Sequence, residues 1–258
     1  MARPLSIDVL LDYQFDEPTD ILLQIEAAAL PCQRLQSSAL NLPPALTPTR
    51  VPALDGIGER IWLNHQGRLV VEYRATVDVE RAATDLAALA VTPHRLLPGD
   101  AIPYLMPSRY CPSDRFHRFA ERTFGDVETG AGVIAMREWI AGHLDYVPGV
   151  SNSSTCANDT FVARQGICRD YAHLMVTLAR AAGIPARFAS AYALGVEPQD
   201  FHAVAQVYLG DQWCIVDPTG MANDETTAII GVGRDAADVA FLTAFGWAKF
   251  NALKVSVA

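Results

Sequence analysis

Three residue types able to perform acyl chemistry occur late in this chain in the order Cys168, His202, Asp217. The cysteine lies in QGICRDYAHLMVTLARAAGIPAR, where Tyr171, Leu174, Met175, Leu178 and Ala182 recur on one helical face, so the spacing predicts a buried helix beginning near Cys168. Its end is marked by Gly183, suited to a left-handed C′ position, by Ile184 as the apolar residue that folds back, and by Pro185, which forbids continuation. Cys168 therefore falls in the first turn. There the unpaired N–H groups and the positive end of the dipole favour a thiolate, drawing a thiol down from its usual pKa of about 8.5. The same N–H groups could hold an oxyanion, and Gly166 lets the backbone turn without a side chain over the sulfur. A free cysteine is more often a buried structural residue than a nucleophile, so position alone does not assign it.

The base and its orienter come from DFHAVAQVYLGDQWCIVDPTG, two β-rich runs around Gly210-Asp211. A two-residue turn sets Leu209 opposite Gln212 and Val204 opposite Asp217. With side chains alternating at period two, His202, Val204 and Asp217 then share one face. A three-residue loop would flip that parity. A carboxylate beside His202 can hold one imidazole nitrogen and leave the other to exchange a proton with a thiol. In this register Cys214 points to the opposite face as core, while Trp213 and Ile215 share the His face, lining the cleft or packing on the Cys helix. A lone strand His is usually a satisfied core or surface residue and a lone Asp-Pro a turn initiator; the conjunction of all three residues carries the assignment. Asp170 reads as a first-turn dipole partner with Arg169 beside it. His173, about 140° round the helix from Cys168, faces another neighbour. Cys156, in the loop SNSSTCAND before the nucleophile, reads as an ordinary loop cysteine.

The elements that must position these residues divide at a proline-rich stretch. From Ser6 to about Val79 the pattern favours strands, with Ile7, Val9 and Leu11 alternating and β-branched residues running over 69–79. Turn signals stand at Asp16–Pro18, Leu42–Pro48 and Asp55–Gly58. The expectation is an α+β protein: an antiparallel, sandwich-like β domain over 1–95, then a catalytic domain over 96–258, with Pro93–Pro112 as an extended connector. After the connector the period changes to about 3.6, predicting helices over Arg115–Thr123 and from Thr129 to about Leu144. A polar loop, Val147–Thr160, leads to the site region.

Half of the 258 residues are hydrophobic and 19% charged, which suits a packed globular protein. A net charge of −9 without any Lys/Arg run argues against nucleic-acid binding. No stretch reaches the roughly 18 apolar residues of a membrane span, so a cytoplasmic location is expected. Five widely spaced cysteines without a CxxC pair give no zinc or redox motif, and no acidic loop of EF-hand type supports calcium; no cofactor or metal is expected.

At GICRDYAHL, LARAAGIPAR, DFHAVAQVYL and WCIVDPTG, over about 132–220, the chain resembles the transglutaminase-like superfamily, thiol enzymes related in fold to papain-type proteases. LMPSRY at Leu105–Tyr110 is similar to bacterial members with an added β domain that look like cysteine proteases. The resemblance implies a Cys-bearing helix packed on an antiparallel sheet, with nucleophile, base and orienter at Cys168, His202 and Asp217 and a protein or peptide substrate. It also implies a side chain assisting the oxyanion, for which Tyr146 stands first and Trp139 second, with Trp213 as a cleft residue. Where many relatives carry an aromatic residue two positions after the His, this chain has Val204, implying a more open cleft wall. Hydrolysis of an amide and acyl transfer to an amine remain equally open to such a triad; a non-catalytic binding module is the third reading.

Overall fold

Ile7, Val9 and Leu11 do alternate into a strand, and it runs further than its turn signals predict. The computed structural model describes residues 4–258, and in it β1 spans Leu5–Leu23 and β4 spans Glu59–Val79 as one long antiparallel pair. Asp16–Pro18 is a β-bulge instead of a turn: pairing shifts between Phe15 and Thr19 and then resumes, which bends the strand without ending it. Shorter strands flank the pair, β2 (Gln33–Asn41) and β3 (Thr49–Pro52) along β4, β11 (Leu242–Ala244) and β12 (Lys249–Val257) along β1. The first sheet thus takes the strands on its β1 side from the end of the chain, so a unit drawn over 1–95 alone omits part of its own sheet.

Four helices follow: α1 (His117–Phe124), α2 (Gly130–His143), α3 (Ala157–Ala163) and α4 (Cys168–Ala181). Thr129 caps α2 through its side chain, which accepts from the Ala131 N–H. The loop expected up to Thr160 gives way to α3 at Ala157. A second antiparallel sheet is ordered β10 (Thr227–Gly233), β7 (Ala186–Ala193), β8 (His202–Leu209), β9 (Gln212–Val216). Every residue of α4 except Arg169 is buried. Leu174, Met175 and Leu178 pack on Ala205, Val207, Leu209, Cys214 and Val216 of one sheet face; truncating such a side chain to alanine costs about 2–5 kcal/mol. The other face, with Ala189, Ala191 and Val204, meets Leu30 and Ile57 from the first sheet's loops. The α+β class with antiparallel sheets holds. Among the described residues no helix is long and apolar enough to cross a membrane.

The proline-rich stretch is not an extended connector. It folds into single turns at His94–Leu96 and Ile102–Leu105 and is bolted to the core by Arg180, which is buried on α4. That guanidinium donates to the carbonyls of Met106 (3.0 Å), Ala186 (2.8 Å) and Arg234 (2.7 Å) and to Ser108 Oγ (3.1 Å). The LMPSRY residues therefore satisfy a buried cation. A second buried arginine, Arg187, joins the two sheets through Asp55 (2.8 Å), whose carboxylate also accepts from the Tyr104 hydroxyl (2.7 Å).

Candidate active site

Cys168 is the first residue of α4, after Ile167 in extended conformation. Asp170 reaches back to accept the Ile167 N–H (2.9 Å), as an acid in the third helical position can. Arg169 pairs with Asp170 (3.0 Å) and donates to the Asn152 carbonyl (2.8 Å), tying the incoming loop to the helix start. Gly166 is needed for a reason other than room over the sulfur: a Cβ there would lie 2.7 Å from the Asp170 Cβ. The predicted helix stop is observed in full. Gly183 has φ +78°, its N–H bonds the Arg180 carbonyl, and the Ile184 N–H bonds that of Ala179.

The hairpin has the register derived from its turn. Gly210 and Asp211 both have positive φ, Leu209 pairs with Gln212, and Ala205 with Val216, which puts Val204 opposite Asp217. His202 and Asp217 are both buried, and Nε2 of the ring lies 2.9 Å from Asp217 Oδ2. The carboxylate is also held by the N–H (2.8 Å) and hydroxyl (2.7 Å) of Thr219 on Oδ1 and by the N–H of Ala222 (2.8 Å) on Oδ2, the oxygen that faces His202. These holders were missed in the sequence, although Asp-Pro-Thr-Gly is the kind of segment whose aspartate binds its own backbone two residues on. Together the hydrogen bonds keep Asp217 below the ordinary carboxylate range despite burial.

Nδ1 of His202 has no hydrogen-bond partner, and the Cys168 sulfur lies within interaction range of the ring. Sγ itself is 4.0 Å from the Phe201 carbonyl and packs among Ala172, Phe188, Ala203 and Val239. Burial works to lower the pKa of His202, but the Asp217 carboxylate and Cys168 together outweigh it and raise the imidazole to about 9. An imidazolium beside a sulfur at a helix start is the partner a thiolate requires. Among the described residues no three His, Cys, Asp or Glu side chains gather as a metal set.

Of the three aromatic candidates, the fold brings one to the sulfur. Tyr146 sits on β5 (Asp145–Tyr146), paired in parallel with β6 (Gln165–Gly166), and packs against Cys168 and its neighbours. Burial, then the nearby Cys168 charge, raise its phenol to about 12, so it stays a donor at neutral pH. Trp139 is corrected to core: on α2 it stacks on His143 (4.3 Å) and Phe161 (5.7 Å). Trp213 is corrected as well. It shares the His202 face as derived, but α4 packs on the opposite face, and Trp213 instead lies beneath Arg187 (4.1 Å) and edge-on to Tyr104. It lines a cavity of about 910 Å³ behind Asp217 that reaches neither Cys168 nor His202. Val204 is no cleft wall; it is fully buried with Ala189, Ile229 and Val232. Cys214 is buried, and His173 faces Tyr110 and Phe188, both as expected.

The sequence profile of the transglutaminase-like superfamily matches residues 118–218, the helices and hairpin just described. The crystal structure of a candidate cysteine protease from Cytophaga hutchinsonii is 34% identical and superposes with a TM-score of 0.94, covering all of this chain and 91% of that one. The chain belongs to the transglutaminase-like superfamily. An uncharacterized protein of Mycobacterium leprae is 33% identical over 147 residues, 53% of this chain and 52% of that protein. An uncharacterized protein of Mycobacterium tuberculosis is 34% identical over 110 residues, 36% of this chain and 35% of its own length. The chain spans about half or less of the length of these mycobacterial relatives.

Proposed function

We propose that this transglutaminase-like protein is a thiol hydrolase that opens amide or peptide bonds through an acyl-enzyme on Cys168, with His202 as acid and base and Asp217 as the residue positioning it. The observation that supports this most is the division of the imidazole: Nε2 on Asp217, the other nitrogen free of protein partners, in a ring interacting with the Cys168 sulfur. The thiolate of Cys168 adds to the carbonyl carbon of a protein or peptide substrate, and the developing oxyanion meets the N–H groups at the start of α4 and the Tyr146 hydroxyl. As the C–N bond breaks, His202 delivers its proton to the leaving nitrogen, and a thioester remains. His202 then takes a proton from water, the hydroxide adds to the thioester, and the thiolate leaves with the carboxylic acid product. The five unpaired cysteines accord with a reducing compartment, and a cytoplasmic site of action is part of the proposal.

Intact-mass spectrometry after an activated ester tests it. An acyl adduct that hydroxylamine removes is expected on the wild type and none on Cys168→Ala; equal acylation of both overturns the assignment. Iodoacetamide at pH 6–7 provides a second readout. Burial raises Cys111 to about 12 and Cys214 to about 11, so Cys168 should alkylate well ahead of both. If amide forms in place of acid when a primary amine is supplied at low concentration, the acyl-enzyme is resolved by transfer.

A further inference from the structure

The loop before β8 carries a carboxylate, Asp200, one residue from the backbone carbonyl nearest the sulfur of the proposed nucleophile, and the proposed chemistry does not use it. Asp200 is exposed, and its Oδ1 accepts the N–H of Phe201 (2.7 Å). The Phe201 carbonyl is the group 4.0 Å from the Cys168 sulfur, so the carboxylate stands one residue from that contact and two from His202. Its position is fixed. Gln199 exchanges hydrogen bonds with both backbone groups of Val257 (3.0 and 3.1 Å), and the Phe201 ring stacks on Phe241 (4.7 Å) and lies 5.5 Å from Tyr192. Added to burial, the charge of Asp200 acts on the hydroxyls of Tyr146, which packs beside Cys168, and of Tyr13 on β1, raising both. Among the described residues no Lys or Arg pairs with it. Arg169, the cation next to Cys168 in sequence, is already committed to Asp170 and the Asn152 carbonyl.

From this placement we infer that Asp200 makes the cleft rim selective for substrates carrying a cationic group, a lysyl or arginyl side chain, beside the acyl carbon that Cys168 attacks. The inference rests on the reading of Cys168 as the nucleophile and adds the substrate class. An exposed carboxylate attracts a cation in competition with water and salt, so the preference is modest, about three- to fivefold, and shrinks as ionic strength rises. The net charge of −9 adds a field of the same sign.

The test pairs two methanethiosulfonates of similar size, one ending in trimethylammonium and one in sulfonate. Their rates at Cys168 are followed by site-resolved mass spectrometry and divided by their rates with a small free thiol. Asp200→Asn keeps an acceptor for the Phe201 N–H while removing the charge, and Asp200→Glu keeps the charge. The corrected cation-to-anion ratio should exceed one in the wild type, fall about threefold in Asp200→Asn, survive in Asp200→Glu and shrink in salt. In a second arm, kcat/KM for a lysyl relative to a norleucyl p-nitrophenyl ester should fall by a similar factor in Asp200→Asn. Acylation by both esters with a labelling ratio unmoved by Asp200→Asn overturns the inference alone. A shifted labelling ratio with no acylation by either ester overturns the hydrolase reading on which it rests.

Discussion

Two imidazoles in this core are withdrawn from water, and they titrate at opposite ends of the range. His173, on α4, stacks on Tyr110 and lies tilted against Phe188, with Nε2 accepting the Ala236 N–H (3.1 Å). Burial, helped by the charge of Arg169, pushes it down to about 3. His202, at the start of β8, is as dry, yet it is held up at about 9 because Asp217 and Cys168 outweigh the same desolvation. Burial favours the neutral ring in both places; what separates them is a hydrogen-bonded carboxylate on one side. Proton transfer to a leaving group needs a ring that can be charged, and only the His202 region supplies the counter-ion.

The most severe way to break this contrast is to remove the groups proposed to react. Cys168→Ala should abolish the acyl adduct, and His202→Ala should slow acylation by about 10⁴-fold or more, since thiol activation and leaving-group protonation both lose their partner. Asp217→Asn should come next, about 10²- to 10⁴-fold in kcat/KM. It should also move the alkaline limb of the pH–rate profile below 9, because burial is then less opposed. Added to His202→Ala it should cost little more if the residues act as a unit, and fully additive losses would remove Asp217 from that role. Tyr146→Phe should lower kcat by about 10²-fold, the usual loss of one oxyanion donor. The matching changes Trp139→Phe and Trp213→Phe should leave kcat within a few fold of wild type, which would sharpen the choice among the three aromatics.

Stability against pH separates the two histidines without any substrate. The folded pKa of His202 is raised, so its contribution is fully present below about 6.5 and is lost as pH rises through about 9, at most about 3 kcal/mol. The folded pKa of His173 is depressed, so in the interval from about 6.5 down to about 3 the unfolded chain binds the extra proton and stability falls, at most about 4 kcal/mol. His173→Phe should keep the stacking and flatten the acid limb in urea titrations at pH 7 and pH 4. An acid limb as steep as that of the wild type would mean that His173 is not buried in its neutral form.

The sequence by itself determined what neighbouring residues negotiate along the chain. The run from Cys168 to Ala182 with Gly183-Ile184-Pro185 fixed a buried helix and its end through 3.6-residue spacing and a left-handed cap. Gly210-Asp211 fixed the hairpin register, and with it the His202–Asp217 pair, because positive φ at both positions suits a two-residue turn. Tertiary structure decided what depends on which surfaces meet. The parity that put Trp213 on the His202 face was correct, yet α4 covers the other face, so Trp213 packs under Arg187. Tyr146 was separated from Trp139 by a two-residue parallel bridge to Gly166, too short to leave a periodic trace. The proline-rich segment reads as a linker until a buried Arg180, some 70 residues on, requires the Met106 carbonyl and the Ser108 hydroxyl. The last strands closed the first sheet because the edge of β1 offered unpaired backbone groups, which β12 satisfies from more than 200 residues away. Periodicity and turn chemistry act over a few residues; packing and backbone satisfaction act across the whole chain, and only the folded molecule displays their outcome.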